Sequence, residues 1–437
     1  MMAALLLIWA ALLLGLVKFA IGRVRAGALT LAYFVGLSLI HVPGVLPFAG
    51  SALALGDAAE TRLGFEMTLA GMAAFVIGAA ATATIAMPRL RQHLPALAWR
   101  CEGIGWRLLA IGAIGQFVVI PLSFAVPSLT SIASALATLL IVGSWLLLLA
   151  SVDRRQGWKT AALLGLLPAL PLATLVGGGF LGYGVYWVLS IVCFLFVISP
   201  RRGWFYAAAP LAALLGLSLF VTYAGQRSAI RELVWIEHAG LLDRLERVSR
   251  LVTEFEAFDL DSAAQVTALD DRLNQNRFVG VAMMRYQHGD SELAYGATVP
   301  LWALVPRAVW PDKPAVGGGL DVVSRFTGIR FGANTSVGAG QVLEFFVNFG
   351  NAGVVIGFFG LGMLLMRLDL GIARALAAGD VGALLVSAMP GLTLLQPGGN
   401  VLEILVACAA AYLCARIAVL LRLVDLLGAV RRGPAPA

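Results

Sequence analysis

An all-α, polytopic membrane protein is the fold class this sequence predicts, and three observations predict it. Apolar residues fill 60% of the 437 positions and charged residues only 13%, whereas a soluble domain would carry roughly a quarter charged. The charge is segregated, with long stretches almost free of it and one polar block in the middle. The basic residues fall between apolar runs in a regular alternation, so the net charge of +7 reads as topogenic rather than as a nucleic-acid footprint.

Crossing the hydrocarbon core as a helix takes about 20 apolar residues. Eleven runs qualify: Met2–Ala20, Leu29–Phe48, Phe65–Met87, Ile104–Val126, Leu129–Ala150, Thr160–Val176, Tyr183–Ile198, Trp204–Ala224, Gln341–Met366, Val381–Gln396 and Val401–Leu421. The first lacks a basic leader and reads as a membrane helix rather than a cleaved signal. Connectors bearing Arg23/Arg25, Arg89/Arg91/Arg100, Arg154/Arg155/Lys159, Arg201/Arg202 and Arg367/Arg374 are basic, as is the tail with Arg422/Arg431/Arg432. The alternate connectors are neutral or nearly so. The positive-inside rule then puts the C-terminus in the cytoplasm and the N-terminus outside, in a bacterial inner membrane. Three regions follow: spans 1–8 in residues 1–224, a large periplasmic loop in 225–340, and spans 9–11 with the tail in 341–437.

The loop has helical signals of its own. Apolar residues recur at helical spacing over Ser228–Phe255, predicting one amphipathic helix on the bundle or membrane surface. Asp261-Ser262-Ala-Ala-Gln265 offers a capping box for a second helix that runs to about Gln287 and stops at Gly289. A glycine link, Gly317–Gly319, precedes a short helical segment at Asp321–Phe326. The four cysteines form no metal or disulfide pattern. P-loop, HExxH and GxSxG motifs are absent from the sequence, and Gly353/Gly357 is read as a close helix contact.

Two segments concentrate the chemistry. Thr298–Pro314 holds Pro300, Pro306, Pro311 and Pro314, Trp302 and Trp310, and the charged Arg307, Asp312 and Lys313. Its prolines would hold Arg307 and Lys313 in a fixed geometry at a membrane surface. The wider basic set of the loop is Arg227, Arg231, Arg272, Arg277, Arg285, Arg307, Lys313, Arg325 and Arg330. Guanidinium groups bind phosphate oxygens bidentately, so convergence of several would suit a lipid-linked pyrophosphate. Carboxylates beside apolar runs are costly and so are functional candidates; Glu344 and Glu403 qualify, with Glu66 weaker. Glu403 follows the break Gln396-Pro-Gly-Gly-Asn400. His41, beside Pro43, is read as an interfacial histidine with a satisfied ring.

With these residues in view, the chain resembles the bacterial oligosaccharide repeat-unit polymerases, the Wzy-type O-antigen and exopolysaccharide polymerases. The resemblance rests on Arg272-Leu-Asn-Gln-Asn-Arg277-Phe, Tyr295-Gly296-Ala-Thr298, Val305-Pro306-Arg307-Ala-Val-Trp310-Pro311-Asp312-Lys313-Pro314, and Glu344-Phe-Phe-Val-Asn348-Phe349-Gly350-Asn-Ala-Gly353. It implies a GT-C-like helical bundle that transfers an undecaprenyl-pyrophosphate-linked glycan onto another lipid-linked repeat unit, with no cofactor and no metal. The partners it implies are those lipid-linked oligosaccharides, the bilayer and a chain-length regulator of the pathway, and no nucleic acid. On that reading Arg277, Arg307 and Lys313 hold the pyrophosphate, and Glu344 is the general base, a role Asp312 or Glu403 could take instead. Trp310 binds the substrate, and Asn348 and the Phe349-Gly350 turn shape the site. An O-antigen ligase shares the plan of bundle plus outer loop. A polysaccharide exporter or flippase would instead line a deep path with polar groups, and a scaffold would need no convergent arginines.

The charge alternation sets a topology test. Maleimide should label Gly56→Cys from outside intact spheroplasts and label Arg154→Cys only after permeabilisation; the opposite pattern would invert the assignment.

Overall fold

The computed structural model describes residues 1–20, 26–48, 58–86, 98–123, 130–200, 202–237, 239–259, 261–298, 305, 309–310, 312, 318–331 and 337–427. The regular elements are helices, with no strand among the described residues. In chain order they are α1 (Met2–Phe19), α2 (Ala28–His41), α3 (Ala58–Ala86), α4 (Ala98–Ile114), α5 (Thr130–Asp153), α6 (Gly157–Gly165), α7 (Ala169–Gly178) and α8 (Leu181–Ile198). They continue as α9 (Gly203–Arg231), α10 (Leu241–Thr253), α11 (Ala263–Leu273), α12 (Gln275–Gln287), α13 (Gly319–Thr327), α14 (Gln341–Ala378), α15 (Val381–Thr393) and α16 (Val401–Leu420).

Nine helical stretches among the described residues are long and apolar enough to cross a membrane. Two shorter apolar helices, α2 and α15, occupy the places of the second and tenth expected spans. Helix α2 has 14 residues and so rises only about 21 Å. It ends at His41 because Pro43 and Pro47 turn the chain into a 3₁₀ segment, Pro43–Phe48, rather than continuing to Phe48 as expected. The sixth expected span is interrupted ahead of Pro168 into α6 and α7, and α4 passes through a π-turn at Gly115–Val119 to reach Ser123.

The ninth expected span departs most from the sequence reading. Within α14, Phe349 (φ −142°, ψ 16°) and Gly350 (φ 65°, ψ −157°) leave helical geometry. The chain doubles back there: the Phe345 and Phe358 rings meet edge to face with centroids 5.6 Å apart, whereas a straight helix would separate the two residues by roughly 20 Å. A Cβ on Gly353 would lie 2.5 Å from the Phe345 carbonyl oxygen, and one on Gly357 would lie 2.8 Å from the Phe345 ring. The close contact expected of Gly353 and Gly357 is therefore with the helix's own first arm. The second arm packs along α3 almost backbone to backbone, since a Cβ on Gly78 would sit 2.2 Å from the Phe359 oxygen and one on Gly362 would sit 2.1 Å from that of Phe75.

The loop folds back onto this core. Asn276 of α12 donates through Nδ2 to the His41 carbonyl (2.7 Å) and accepts at Oδ1 from the Thr68 hydroxyl (3.0 Å), with His41 Nδ1 2.7 Å away. Asn274 donates to Thr61 Oγ1 at 2.9 Å, and a Cβ on Gly280 would meet the Glu60 carbonyl. His41 Nε2, by contrast, is buried with no hydrogen-bond partner among the described residues, so the expectation of a satisfied ring holds for Nδ1 alone.

Two helix expectations in the loop also change. The single amphipathic helix over Ser228–Phe255 is split: α9 runs on to Arg231, a π-turn covers Glu232–Ile236, and α10 starts afresh at Leu241. The second helix is split at Asn274 (φ −114°, ψ 66°) into α11 and α12. Ser262 is the N-cap as expected, but Gln265 accepts from the Asp259 amide instead of closing a capping box. Gly289 (φ 77°) follows the end of α12, and α13 contains the expected Asp321–Phe326 segment.

At the opposite end of the bundle, buried Asp369 of α14 caps a different helix. Its Oδ1 accepts from the Leu29 amide (3.0 Å), and its Oδ2 accepts from the Thr30 amide (2.9 Å) and hydroxyl (2.7 Å). Asp369→Ala strands these donors inside the protein, a loss of about 2–3 kcal/mol. Thermal unfolding in detergent should show a clearly lowered midpoint, with Asp369→Asn intermediate because it keeps one acceptor oxygen.

A candidate active site at the loop end of the bundle

Residues Gln396–Asn400 separate α15 from α16 and free several backbone groups from helical pairing, which must find partners away from water. The first arm of α14 supplies them. Gln341 donates its amide N–H to the Pro397 carbonyl at 3.1 Å and its Nε2 to that of Gln396 at 3.3 Å. Its Oε1 accepts from the Tyr33 hydroxyl. One turn later Glu344, only 2% exposed, accepts at Oε2 from the Val401 amide at 2.7 Å, the first residue of α16. A carboxylate at a helix N-terminus is well placed against the helix dipole. Its second oxygen has no hydrogen-bond partner among the described residues. Glu403 is exposed on the same turn and accepts from Asn400 Nδ2 at 3.1 Å, while Asn400 Oδ1 accepts from the Ala339 amide at 3.4 Å.

Asn348 fixes the crest where α14 reverses. Its Nδ2 donates to the Glu344 carbonyl (2.7 Å) and to Thr298 Oγ1, and its Oδ1 accepts from the Gly296 amide (3.0 Å). The Ala294 amide donates to the Val347 carbonyl at 2.7 Å. These bonds hold the turn in which Tyr295 (φ 47°) and Gly296 (φ 89°) take left-handed backbone conformations. Asn348 therefore acts by shaping the site, since its amide is occupied on both sides.

The remaining candidates separate. Arg277 faces α3, with Nε 3.8 Å from Glu60 and Nη1 4.0 Å from Asp270, and it makes no contact with Glu344. The loop does fold back, and Asn276, bonded to His41 and Thr68, carries Arg277 toward α3 with it. Trp310 and Asp312 are both exposed. Arg307 and Lys313 lie outside the described residues.

It is Gln275, two residues before Arg277, that reaches the break. A Cβ on Gly340 would lie 2.2 Å from Gln275 Oε1, and one on Gly398 would lie 3.2 Å from its Nε2. Gln275 also lines a cleft of about 200 Å³ together with Phe220, Tyr223 and Arg227 of α9, Asp271 and Arg272 of α11, Asn274, Phe278, Phe331 and Gly338. Arg231 stands one turn beyond Arg227, nearly buried, with its guanidinium 5.2 Å from the centre of the Phe180 ring. Arg227, Arg231 and Arg272 are close enough to repel one another, and the Tyr223 hydroxyl donates to the Gly179 carbonyl at 3.4 Å. Arg227 and Arg272 line the cleft beside Asp271, and with Arg231 one turn beyond, the excess of positive charge favours an anion.

No family model, curated protein or solved structure matches this chain. The reading of the site therefore rests on its own geometry. The sequence named Arg227, Arg231 and Arg272 only as part of a wider basic set. The signal it held was the i,i+4 spacing of Arg227 and Arg231 at the end of an apolar run; the approach of Arg272 depends on the fold. Among the described residues no three His, Cys, Asp or Glu side chains cluster as a metal ion would require.

The reversal of α14 gives a prediction. Gly350→Ala imposes an L side chain on a backbone near φ 65°, ψ −157°, costing about 1–3 kcal/mol. Gly360→Ala, where nothing lies within 4 Å of the new methyl, should instead raise helix stability by up to ~1 kcal/mol. Thermal unfolding midpoints of the two variants should move in opposite directions.

Proposed function

We propose that this chain is a membrane glycosyltransferase that polymerises undecaprenyl-pyrophosphate-linked oligosaccharide repeat units into O-antigen or exopolysaccharide. In this reading α2 and α15 complete eleven crossings of a bacterial inner membrane, and the loop and N-terminus face the periplasm. The observation that carries it is the cleft lined by Arg227 and Arg272, with Arg231 one turn beyond, joined through Gln275 and Gly338 to the helix break under which Glu344 is buried. That is an anion site beside a base, at one end of an apolar bundle.

The chemistry asks little more. An acceptor sugar hydroxyl attacks the anomeric carbon of the donor glycan, and a glycosidic C–O bond forms as the bond to the lipid pyrophosphate breaks. The pyrophosphate leaves with the bonding electron pair and is held by guanidinium groups, so catalysis needs mainly positioning and charge neutralisation. The unengaged oxygen of Glu344 takes the hydroxyl proton as general base. Arg227, Arg231 and Arg272 hold the leaving group, and the Arg307–Lys313 segment, with Trp310 and Asp312, brings a second set of charges for the other lipid-linked substrate. Arg277 secures the loop on α3.

A ligase would use the same anion site, and a reconstituted reaction separates the two readings. Purified protein in liposomes with a lipid-linked repeat unit should yield a ladder of products, while a single transfer onto lipid A core would mean ligase. Glu344→Gln can still accept from Val401, so it should fold normally yet lose about 10²–10⁴-fold in rate. Arg272→Ala and Arg307→Ala should each abolish polymer at normal protein level. Wild-type chain lengths in any of these variants would remove that residue from the mechanism.

A further inference from the structure

The break that shelters Glu344 has a second flank, formed by the first turns of α8. This helix starts at the loop end, where the Gly179 carbonyl accepts from Tyr223. Tyr186 lies against α2 and the break together: a Cβ on Gly36 would sit 3.1 Å from its ring, and one on Gly398 would sit 3.9 Å from its hydroxyl. Tyr183, three residues earlier, shares that face of α8 and stands nearer the loop end. It is 44% exposed, and beside it a Cβ on Gly182 would meet nothing within 4 Å. The Phe180 ring meets it edge to face, with centroids 5.6 Å apart and planes at 77°. On its other side Phe180 carries the Arg231 guanidinium.

Near this ring are two carboxylates with open oxygens. Glu403 is exposed, and its one hydrogen bond among the described residues comes from Asn400. Glu344 is buried as a residue, yet its second oxygen is not among the fully enclosed polar atoms. Tyr183 lies close enough to Glu403 to feel its charge, and Glu403 lies close enough to Glu344 for the two to repel. A pyranose has the matching chemistry, with a face of C–H groups to lie on an aromatic ring and a rim of hydroxyls to donate to carboxylates. A lipid chain would leave the carboxylates unmet, and an anion would be repelled by them.

We propose that Tyr183 and Glu403 form a sugar-binding subsite that seats the terminal pyranose of the acceptor glycan, with its reacting hydroxyl turned to Glu344. This assignment of the acceptor rests on the glycosyltransferase reading. The base lies beside the subsite, so the sugar held there is the one that gives up a hydroxyl proton. The donor's pyrophosphate lies with the arginines, beyond Phe180. Tyr183 and Glu403 are positioning residues: they hold the nucleophile within reach of Glu344, and orientation of that kind contributes directly to rate.

Two measurements on the full-length protein in liposomes test this. The first is saturation-transfer NMR with the oligosaccharide released from the lipid-linked repeat unit by mild acid, in which the wild type should saturate one end sugar. Tyr183→Ala and Glu403→Ala should each weaken binding about tenfold, while Tyr183→Trp keeps a ring and should retain it. In the reconstituted reaction, Tyr183→Ala should raise KM, whereas Glu344→Gln lowers kcat. Glycan binding absent from the wild type, or unchanged in both alanine variants, would overturn the subsite, as would a wild-type KM in Tyr183→Ala. Binding with the expected pattern but no glycosyl transfer by the wild type would uphold the sugar subsite and remove the glycosyltransferase reading.

Discussion

Unpaired backbone is the constraint on which the loop end of this protein depends. A helix that stops inside an apolar bundle leaves amide and carbonyl groups without water, and each costs several kcal/mol unless another group meets it. Two helices stop here, one at Gln396–Asn400 and one at Phe349–Gly350. The side chains that meet the freed groups are Gln341, Glu344, Asn348 and Asn400, three of them on the single short arm between Gln341 and Asn348. That arm can reach both breaks only because α14 reverses. The reversal, the break and the docked Ala294–Thr298 turn therefore stand or fall together.

This interdependence explains which parts of the architecture were legible in sequence. Apolar runs reveal spanning helices because each run buries its own backbone bonds, and the stop at Gly289 was legible because it acts locally, whereas the breaks at Pro43 and Pro168 lie inside apolar runs that read as continuous. The Phe349-Gly350 pair was visible as a turn, and Gly353/Gly357 as a close contact. Neither told that the contact was with Phe345 of the same helix, because fold-back is a tertiary event and its first arm is as apolar as the second. The splitting of the two loop helices at Glu237–Gly240 and at Asn274 was hidden for a similar reason. Amphipathic spacing continues through both points, and what breaks the second helix is the pull of Asn274 and Asn276 toward α2 and α3.

The site residues divide along the same line. Glu344, Glu403 and Asn348 were legible because polar groups beside apolar runs need a reason to be there. The approach of Arg277 to Glu60 on α3 was not legible, because sequence gives no direction around a helix end that kinks at Asn274. Gln275 drew no notice, being an ordinary polar residue in a polar loop. Yet it is the side chain that joins the arginine cleft to the helix break, through contacts with Gly340 and Gly398 that lie far from it in the chain.

Two buried carboxylates in α14 differ in how fully their partners engage them. Asp369 and Glu344 are each 2% exposed, and each meets the first turn of another helix. Asp369 engages both oxygens with three donors from Leu29 and Thr30, which leaves it no remaining contact to offer. Glu344 engages one oxygen with one donor, from Val401. Its other oxygen carries no bond among the described residues and is not among the fully buried polar atoms, so leaving it open costs little. Glu344 lies instead under a break whose other face opens, by way of Gly338 and Gln275, onto the arginine cleft. The incomplete set of bonds at Glu344 is thus the feature that separates the loop end from the opposite end, where the same kind of residue closes a helix with both its oxygens.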